Sequence, residues 1–280
     1  MVGNRSNPKA KLGLIAGAGD LPLRLASACR AEGRPLFVLA LEGFADPAVT
    51  EGVEHGWIRL GAAGTGISLL RDHGVGELVL AGAVRRPSFT DLRPDLWAAR
   101  FIARVGMKAL GDDGLLSALI SGLEAEGFRV IGVDEVLADL LAAVGPYGRV
   151  MPDSQAELDI QRGIQVARHL GALDVGQGAV VQQGLVLAVE AVEGTDSMLS
   201  RCRELARRGP GGVLVKVSKP GQERRADLPT IGVETVERAA RAGLRGIAVE
   251  AGAALILDRR AVGERADALE MFVVGVAVES

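Results

Sequence analysis

The sequence predicts an α/β protein of two domains, a doubly wound parallel-sheet domain over residues 1–145 and a second, mixed α/β domain over 146–280. Three observations carry that expectation. Short continuous apolar runs recur along the chain, separated by stretches of helical period, as in parallel strands buried on both faces. The composition is 48% hydrophobic with only 3% aromatic residues and 38 glycines, which suits a core of small aliphatic side chains joined by tight turns. At 280 residues the chain is long enough for one large or two modest domains, and its alternating pattern breaks near 144–153.

The elements follow in order. LGLIAG (12–17) reads as the first strand and leads to a helix over 21–32, after which PLFVLAL (35–41) is the second strand. A helical stretch at 64–73, the strand ELVLAG (77–82), helices over 95–110 and 113–126 and the strand FRVIGV (128–133) complete the first domain. Right-handed crossovers then give a small doubly wound sheet, whose ligands belong at the carboxyl ends of its strands. VGPYGRVMPD (144–153) holds two prolines, two glycines and the only tyrosine, and reads as the linker. Asp153 or Ser154 caps the next helix, with Glu157 as capping-box partner, and that helix runs to about Leu170. GAVVQQG and LVLAVEA read as adjacent strands or a hairpin around Gly184. A helix over 195–207, the strand GVLVKVS (212–218), a charged stretch, a helix over 233–242 and short strands near GIAVEA, ALILD and FVVGVA close the chain.

Charge and cysteine usage exclude several classes of function. A net charge of −3 offers no global attraction to a polyanion, and no basic stripe is interleaved with aromatics, so nucleic acid is not an expected partner. Cys29 and Cys202 lack CxxC or Cys/His spacing and suggest neither a disulfide framework nor a zinc site, which fits a reducing cytoplasm. Arg5, Lys9 and Lys11 precede an apolar run that Asp20 and Pro22 soon interrupt, the pattern of a first strand rather than a leader. No run of about 18 apolar residues exists to span a bilayer, so any membrane contact is expected to be peripheral.

Five stretches carry residues capable of chemistry. Gly17, Gly19 and Asp20 follow a strand and precede a helix, where backbone N–H groups can cradle an anion; an ordinary tight turn, with Asp20 as cap, is the competing reading. Arg85 and Arg86, just past a strand end, match phosphate oxygens or a solvated loop. Asp112 and Asp113 stand together at a helix start, where capping requires only one of them. Glu190, Glu193 and Asp196 surround Thr195 within seven residues and could supply oxygen ligands to Mg²⁺ or a general base; a capped helix accounts for Thr195 and Asp196 but not for Glu190. The densest stretch is KPGQERRADLPTIG (219–232), where Lys219, Gln222, Arg224, Arg225 and Asp227 crowd a strand-to-helix loop instead of a periodic face. That placement suits recognition of a diphosphate, with an acid for a metal or a water. His55, His73 and His169 have no metal or triad spacing, and Ser88, Ser117 and Ser121 sit in no nucleophile elbow.

These stretches, with LDVGQGAVVQQGLVLAVEAVEGTDSML (173–199) and GLRGIAVEAGAALILDR (243–259), resemble the UDP-2,3-diacylglucosamine pyrophosphatase family of lipid A biosynthesis, in the form unrelated to calcineurin-like metallophosphoesterases. The resemblance implies two domains with a Rossmann-like first half. It also implies hydrolysis of UDP-2,3-diacylglucosamine to UMP and 2,3-diacylglucosamine 1-phosphate (lipid X), by water directed at the sugar-side phosphorus with Mg²⁺ or Mn²⁺. The family's essential aspartate falls on Asp227, assigned to metal binding or water orientation, with Glu190, Glu193 and Asp196 as further metal candidates. Lys219, Gln222 and Arg225 match the same motif as diphosphate-holding groups, and Glu223 stands where the family often has aspartate. A cytoplasmic enzyme, peripheral at the inner membrane and paired as a homodimer, is the implied setting. Two other classes compete: a nicotinamide or nucleotide-sugar oxidoreductase built on the GAGDLP turn, which predicts a ribose-binding acid after the second strand and a catalytic Tyr-Lys or His, neither of them evident in the sequence, and a non-catalytic nucleotide-sugar binding module.

Overall fold

The computed structural model describes residues 10–84, 92–105 and 112–278, and the chain divides into two compact units, Met1–Leu137 and Ala138–Ser280. In the first unit the elements run β1 (Leu12–Ala16), α1 (Asp20–Ala31), β2 (Leu36–Leu41), β3 (Glu54–Ile58), α2 (Ala63–Asp72), β4 (Glu77–Ala81), α3 (Leu96–Val105), α4 (Asp112–Ala125), β5 (Arg129–Val130) and α5 (Val133–Val136). The five strands form one parallel sheet in the order β3-β2-β1-β4-β5. All six residues of β2 are buried, which is why that strand is written in unbroken apolar residues. Helix α1 buries Pro22, Leu25, Ala26 and Cys29, with the proline accommodated in the first turn.

Strand β3 is not announced by the sequence. EHGWI has no apolar run, because it is an edge strand with two exposed residues at its start. Between β1 and β4 the sheet is stitched beyond its strands: Gly17 N–H donates to Ala81 O (2.8 Å), Ala18 N–H to Ala83 O (2.9 Å), and Ala83 N–H back to Ala18 O (2.9 Å). The approach is so close that a Cβ on Gly17 would lie 2.8 Å from Ala83 O, and Gly82 takes φ 94° to make the turn.

The second unit contains β6 (Gly145–Pro146), α6 (Ser154–Ala172), β7 (Gly178–Gln182), β8 (Leu185–Val189), α7 (Gly194–Leu205), β9 (Val213–Lys216), β10 (Thr230–Ile231), α8 (Val233–Arg241), β11 (Gly246–Glu250), β12 (Leu255–Ile256), α9 (Arg259–Ala268) and β13 (Phe272–Val276). Its main sheet runs β6-β13-β11-β9-β7-β8, with β9, β11 and β13 parallel and the remaining pairings antiparallel. The 144–153 segment, read as a linker, contributes β6 to this sheet through Gly145 and Pro146 beside Gly275 and Val274. Helix α9 is likewise absent from the sequence reading, since RRAVGERADA shows only a thin buried stripe of Val262, Gly263 and Ala266.

Two layers cover the sheet. Ala156, Ile160 and Ala167 of α6 pack with Val213, Val215, Val217 and Phe272 on one face. Met198, Leu199, Val236, Ala239, Val262 and Ala266 of α7, α8 and α9 pack with Leu214, Ile247 and Val273 on the other. Strand alternation therefore sends Val213, Val215 and Val217 towards α6 and Leu214 towards α7 and α8. Lys216 shares the parity of Leu214.

Candidate active site

Strand β9 lies inside the sheet, with Lys216 opposite Gly178 of β7 and Val249 of β11. Its carboxyl end is where an open α/β sheet presents ligand-binding groups. The chain leaves through Ser218, whose N–H and Oγ–H both donate to Glu250 Oε2 at the end of β11 (2.7 and 2.8 Å). The following loop is organised around Gln222, which is buried. Its Oε1 accepts from Lys219 N–H (2.9 Å), and its Nε2 donates to Asp227 Oδ2 (2.6 Å) and to Gln177 Oε1 (3.2 Å). Asp227 is brought round by a tight turn in which its own N–H and that of Ala226 donate to Glu223 O (3.1 and 3.0 Å).

The electrostatics follow from burial. Desolvation pushes the Asp227 carboxyl above the usual aspartate range and Glu190 pushes it further, while the Gln222 hydrogen bond and the charges of Lys219 and Lys216 pull it down. Lys219 Nζ also holds Asp174 Oδ1 at 2.7 Å. Lys216, only 5% exposed, donates to Thr195 Oγ1 (2.6 Å), and that hydroxyl donates to Glu190 Oε1 (2.8 Å). Glu190 Oε2 is buried without a hydrogen bond, its cation Lys216 Nζ standing 3.8 Å away. Lys216, Lys219 and Glu190 thus all act electrostatically on Asp227 within the second unit. Such a group can neutralise phosphate oxygens and orient a water.

Comparison with known proteins fits that arrangement. The LpxI N-terminal domain family matches residues 11–140 and the LpxI C-terminal domain family matches residues 143–274. The chain belongs to the LpxI family. Within it, "UDP-2,3-diacylglucosamine pyrophosphatase LpxI" of Caulobacter vibrioides is 47% identical over 275 residues, covering 95% of this chain and 97% of its own. Among solved structures, leucoanthocyanidin reductase with NADPH from Vitis vinifera is 12% identical, covers 52% of this chain and 41% of that one, and has a TM-score of 0.28. Glycinamide ribonucleotide transformylase 1 from Symbiobacterium toebii is 16% identical over 44% of this chain and 84% of that one, with a TM-score of 0.23. Those two likenesses are too remote to carry an argument.

Several residues expected at the site stand elsewhere. Glu193 is held at 2.8 Å by Arg201, one face along its own helix, and Asp196, 59% exposed, lies 3.5 Å from Arg238. The four-carboxylate metal set Asp227, Glu190, Glu193 and Asp196 is therefore not assembled, and among the described residues no three His, Cys, Asp or Glu side chains are arranged to hold a metal. Asp227 and Glu190 remain. Mg²⁺ is commonly held by one or two carboxylates with substrate phosphates completing its shell, so this pair, with its buried unpartnered Glu190 oxygen, fits a cation that arrives with a diphosphate. Thr195 uses its hydroxyl as donor to Glu190 and acceptor from Lys216 and so links the two. Arg225 forms a fork with Glu223, Nε to Oε1 and Nη2 to Oε2 both at 2.8 Å, which gives Glu223 its role and holds that carboxyl below the usual range.

Gly17, Gly19 and Asp20 lie in the first unit. The Gly17 and Ala18 amides are committed to Ala81 and Ala83, and Asp20 is the first helical residue, with Gly19 as the cap and no side-chain hydrogen bond capping that helix. Arg85 and Arg86 lie outside the described residues, as do the side chains of Asp112 and Asp113, which begin α4. Lys216, Asp174 and Gln177 are site residues that sequence reasoning did not single out.

Proposed function

We propose that the chain hydrolyses the pyrophosphate bond of UDP-2,3-diacylglucosamine, the substrate for which its Caulobacter relative is named. It is a UDP-2,3-diacylglucosamine pyrophosphatase of lipid A biosynthesis, and its products are UMP and 2,3-diacylglucosamine 1-phosphate. The observation that carries the mechanism is the half-buried Asp227 carboxylate, fixed by Gln222 and acted on by the charges of Lys216 and Lys219.

Lys216 and Lys219 neutralise the diphosphate oxygens that would otherwise repel an incoming water. Asp227 Oδ2 is occupied by Gln222, so Oδ1 orients the water and accepts its proton. The water oxygen bonds to the sugar-side phosphorus, the bond from that phosphorus to the bridging oxygen breaks, and UMP leaves with the electron pair. Asp227 and Glu190 would hold a divalent cation, Mg²⁺ or Mn²⁺, which supplies further charge neutralisation on the phosphates. Arg225, pinned by Glu223, steadies the turn and adds a cation beside the diphosphate. Leu173, Val175 and Val192 stand exposed on the segments that also carry Asp174 and Glu190, which supports contact with acyl chains and peripheral work at the cytoplasmic membrane surface.

Hydrolysis in H₂¹⁸O, followed by phosphorus NMR, tests the direction of attack. The isotope is expected in the lipid 1-phosphate with UMP unlabelled. Label in UMP would overturn sugar-side attack, and intact substrate would overturn the activity itself.

A further inference from the structure

A cavity of about 470 Å³ lies in the first unit; Glu42, Phe44, Arg59, Gly61, Leu92 and Arg93 are among the residues that line it. Glu42 is the first residue after β2 and Arg59 the first after β3, so both stand at the carboxyl edge of the parallel sheet. An acid at the end of the second strand is where a doubly wound nucleotide site accepts ribose hydroxyls. Among the described residues, the side chains of Glu42, Arg59 and Arg93 make no hydrogen bond or ion pair with the protein.

The far wall is built deliberately. A Cβ on Gly61 would fall 1.8 Å from Leu92 O, so only glycine lets the 92–95 segment cross the end of β3. Asp95 pins the segment there, its N–H donating to Gly61 O (2.9 Å) and its carboxylate accepting from Thr65 N–H (3.2 Å) and Ala98 N–H (2.9 Å). Arg93 is held at φ 39°, a left-handed conformation that a bulky residue adopts at a cost and that clusters at ligand sites.

We infer that the cavity binds a ribonucleoside 5′-monophosphate, with Glu42 accepting from the ribose diol, Arg59 and Arg93 holding the phosphate and Phe44 against the base. Uridylate is the occupant; that choice of base rests on the function proposed above, whereas the cavity's affinity for a ribonucleotide does not.

Calorimetric titration of the full chain with UMP, 2′-deoxy-UMP, uridine and AMP tests the proposal. Wild type should bind UMP about tenfold or more tighter than 2′-deoxy-UMP, because a site built to bond a hydroxyl rejects the analogue lacking it. Glu42→Ala should abolish that discrimination, and Arg59→Ala should bring UMP down to the affinity of uridine. Photo-cross-linking of 4-thio-UMP to wild type should map to residues 42–61 or 92–95. Absence of ribose discrimination in wild type, unchanged binding in both variants, or cross-links confined to other segments would each overturn the cavity as a nucleotide site. AMP binding as tightly as UMP would overturn only uridylate as the occupant, and failure of hydrolysis in the assay above would leave these binding results standing.

Discussion

Asp227 keeps a carboxylate where water is partly excluded, which is costly unless neighbouring groups offset the lost hydration. Lys216, Lys219 and Gln222 supply that compensation, and Glu190 opposes it. Asp227→Ala is expected to retain substrate binding while turnover falls at least about a hundredfold, read as kcat against the dissociation constant of the unreacted substrate. A second outcome follows from the raised carboxyl. The native state binds this proton more tightly than the unfolded chain, so the group's contribution makes stability decline as pH rises from the unfolded aspartate value through the folded one. The metal-free wild type should therefore lose unfolding temperature relative to Asp227→Asn across that window, and parallel pH curves for the two proteins would refute the assignment. Asp227, Lys219 and Gln222 were legible in the sequence because a charge-rich loop between prolines has no ordinary structural purpose. Lys216 was not, since a lysine near a strand's end reads as a solvated tip. Its signal was the apolar run on both sides, Val213 to Val215 and Val217, which buries whatever stands between. Glu193 and Asp196 misled for a complementary reason: each has an arginine partner, Arg201 further along α7 for Glu193 and Arg238 of α8 for Asp196, the second visible only once the two helices are packed together.

The hairpin of β7 and β8 turns through Gln183 and Gly184, both with positive φ (52° and 79°), as a two-residue turn of this hand requires. Glutamine is a poor choice for that conformation, and α6 compensates. Asp159, 2% exposed, accepts from Gln183 N–H (2.9 Å) and Gly184 N–H (2.7 Å) and also from Gln155 Nε2 (3.2 Å). Asp159→Ala would strand two amides and is expected to cost about 3 kcal/mol, measured by urea unfolding. An unchanged midpoint would mean that water replaces the carboxylate. The hairpin itself could be read from two β-rich runs around Gly184, but its clamp could not, because a mid-helix aspartate reads as a surface residue. The misses β3 and α9 share a cause: both have too little apolar surface to print a period, and each owes its form to neighbours already in place.

Each of the two units has its own layered α/β core, and the parallel, doubly wound class of the first was legible because its inner strands β1, β2 and β4 are written almost wholly in apolar residues. The finer assembly of carboxylates was not, for it depends on which acids the folded chain leaves without arginines. Among the described residues no helix is long and apolar enough to cross a membrane. Among the same residues no cluster of ligands ties the fold to a metal, so chelation with EDTA is expected to abolish turnover while the thermal midpoint stays within about 1 °C. A collapse of the midpoint on chelation would reveal a structural ion instead. The stitching of Gly17 and Ala18 to the end of β4 bears on selectivity in a mixture. A sheet of this order ordinarily invites nicotinamide and flavin dinucleotides, which are abundant and share the ribose and phosphate of the true ligand. With two amides of that seam already bonded, a dinucleotide's linking phosphates would find fewer donors there, so the working rate is expected to stay level when NAD or FAD is added to the hydrolysis assay.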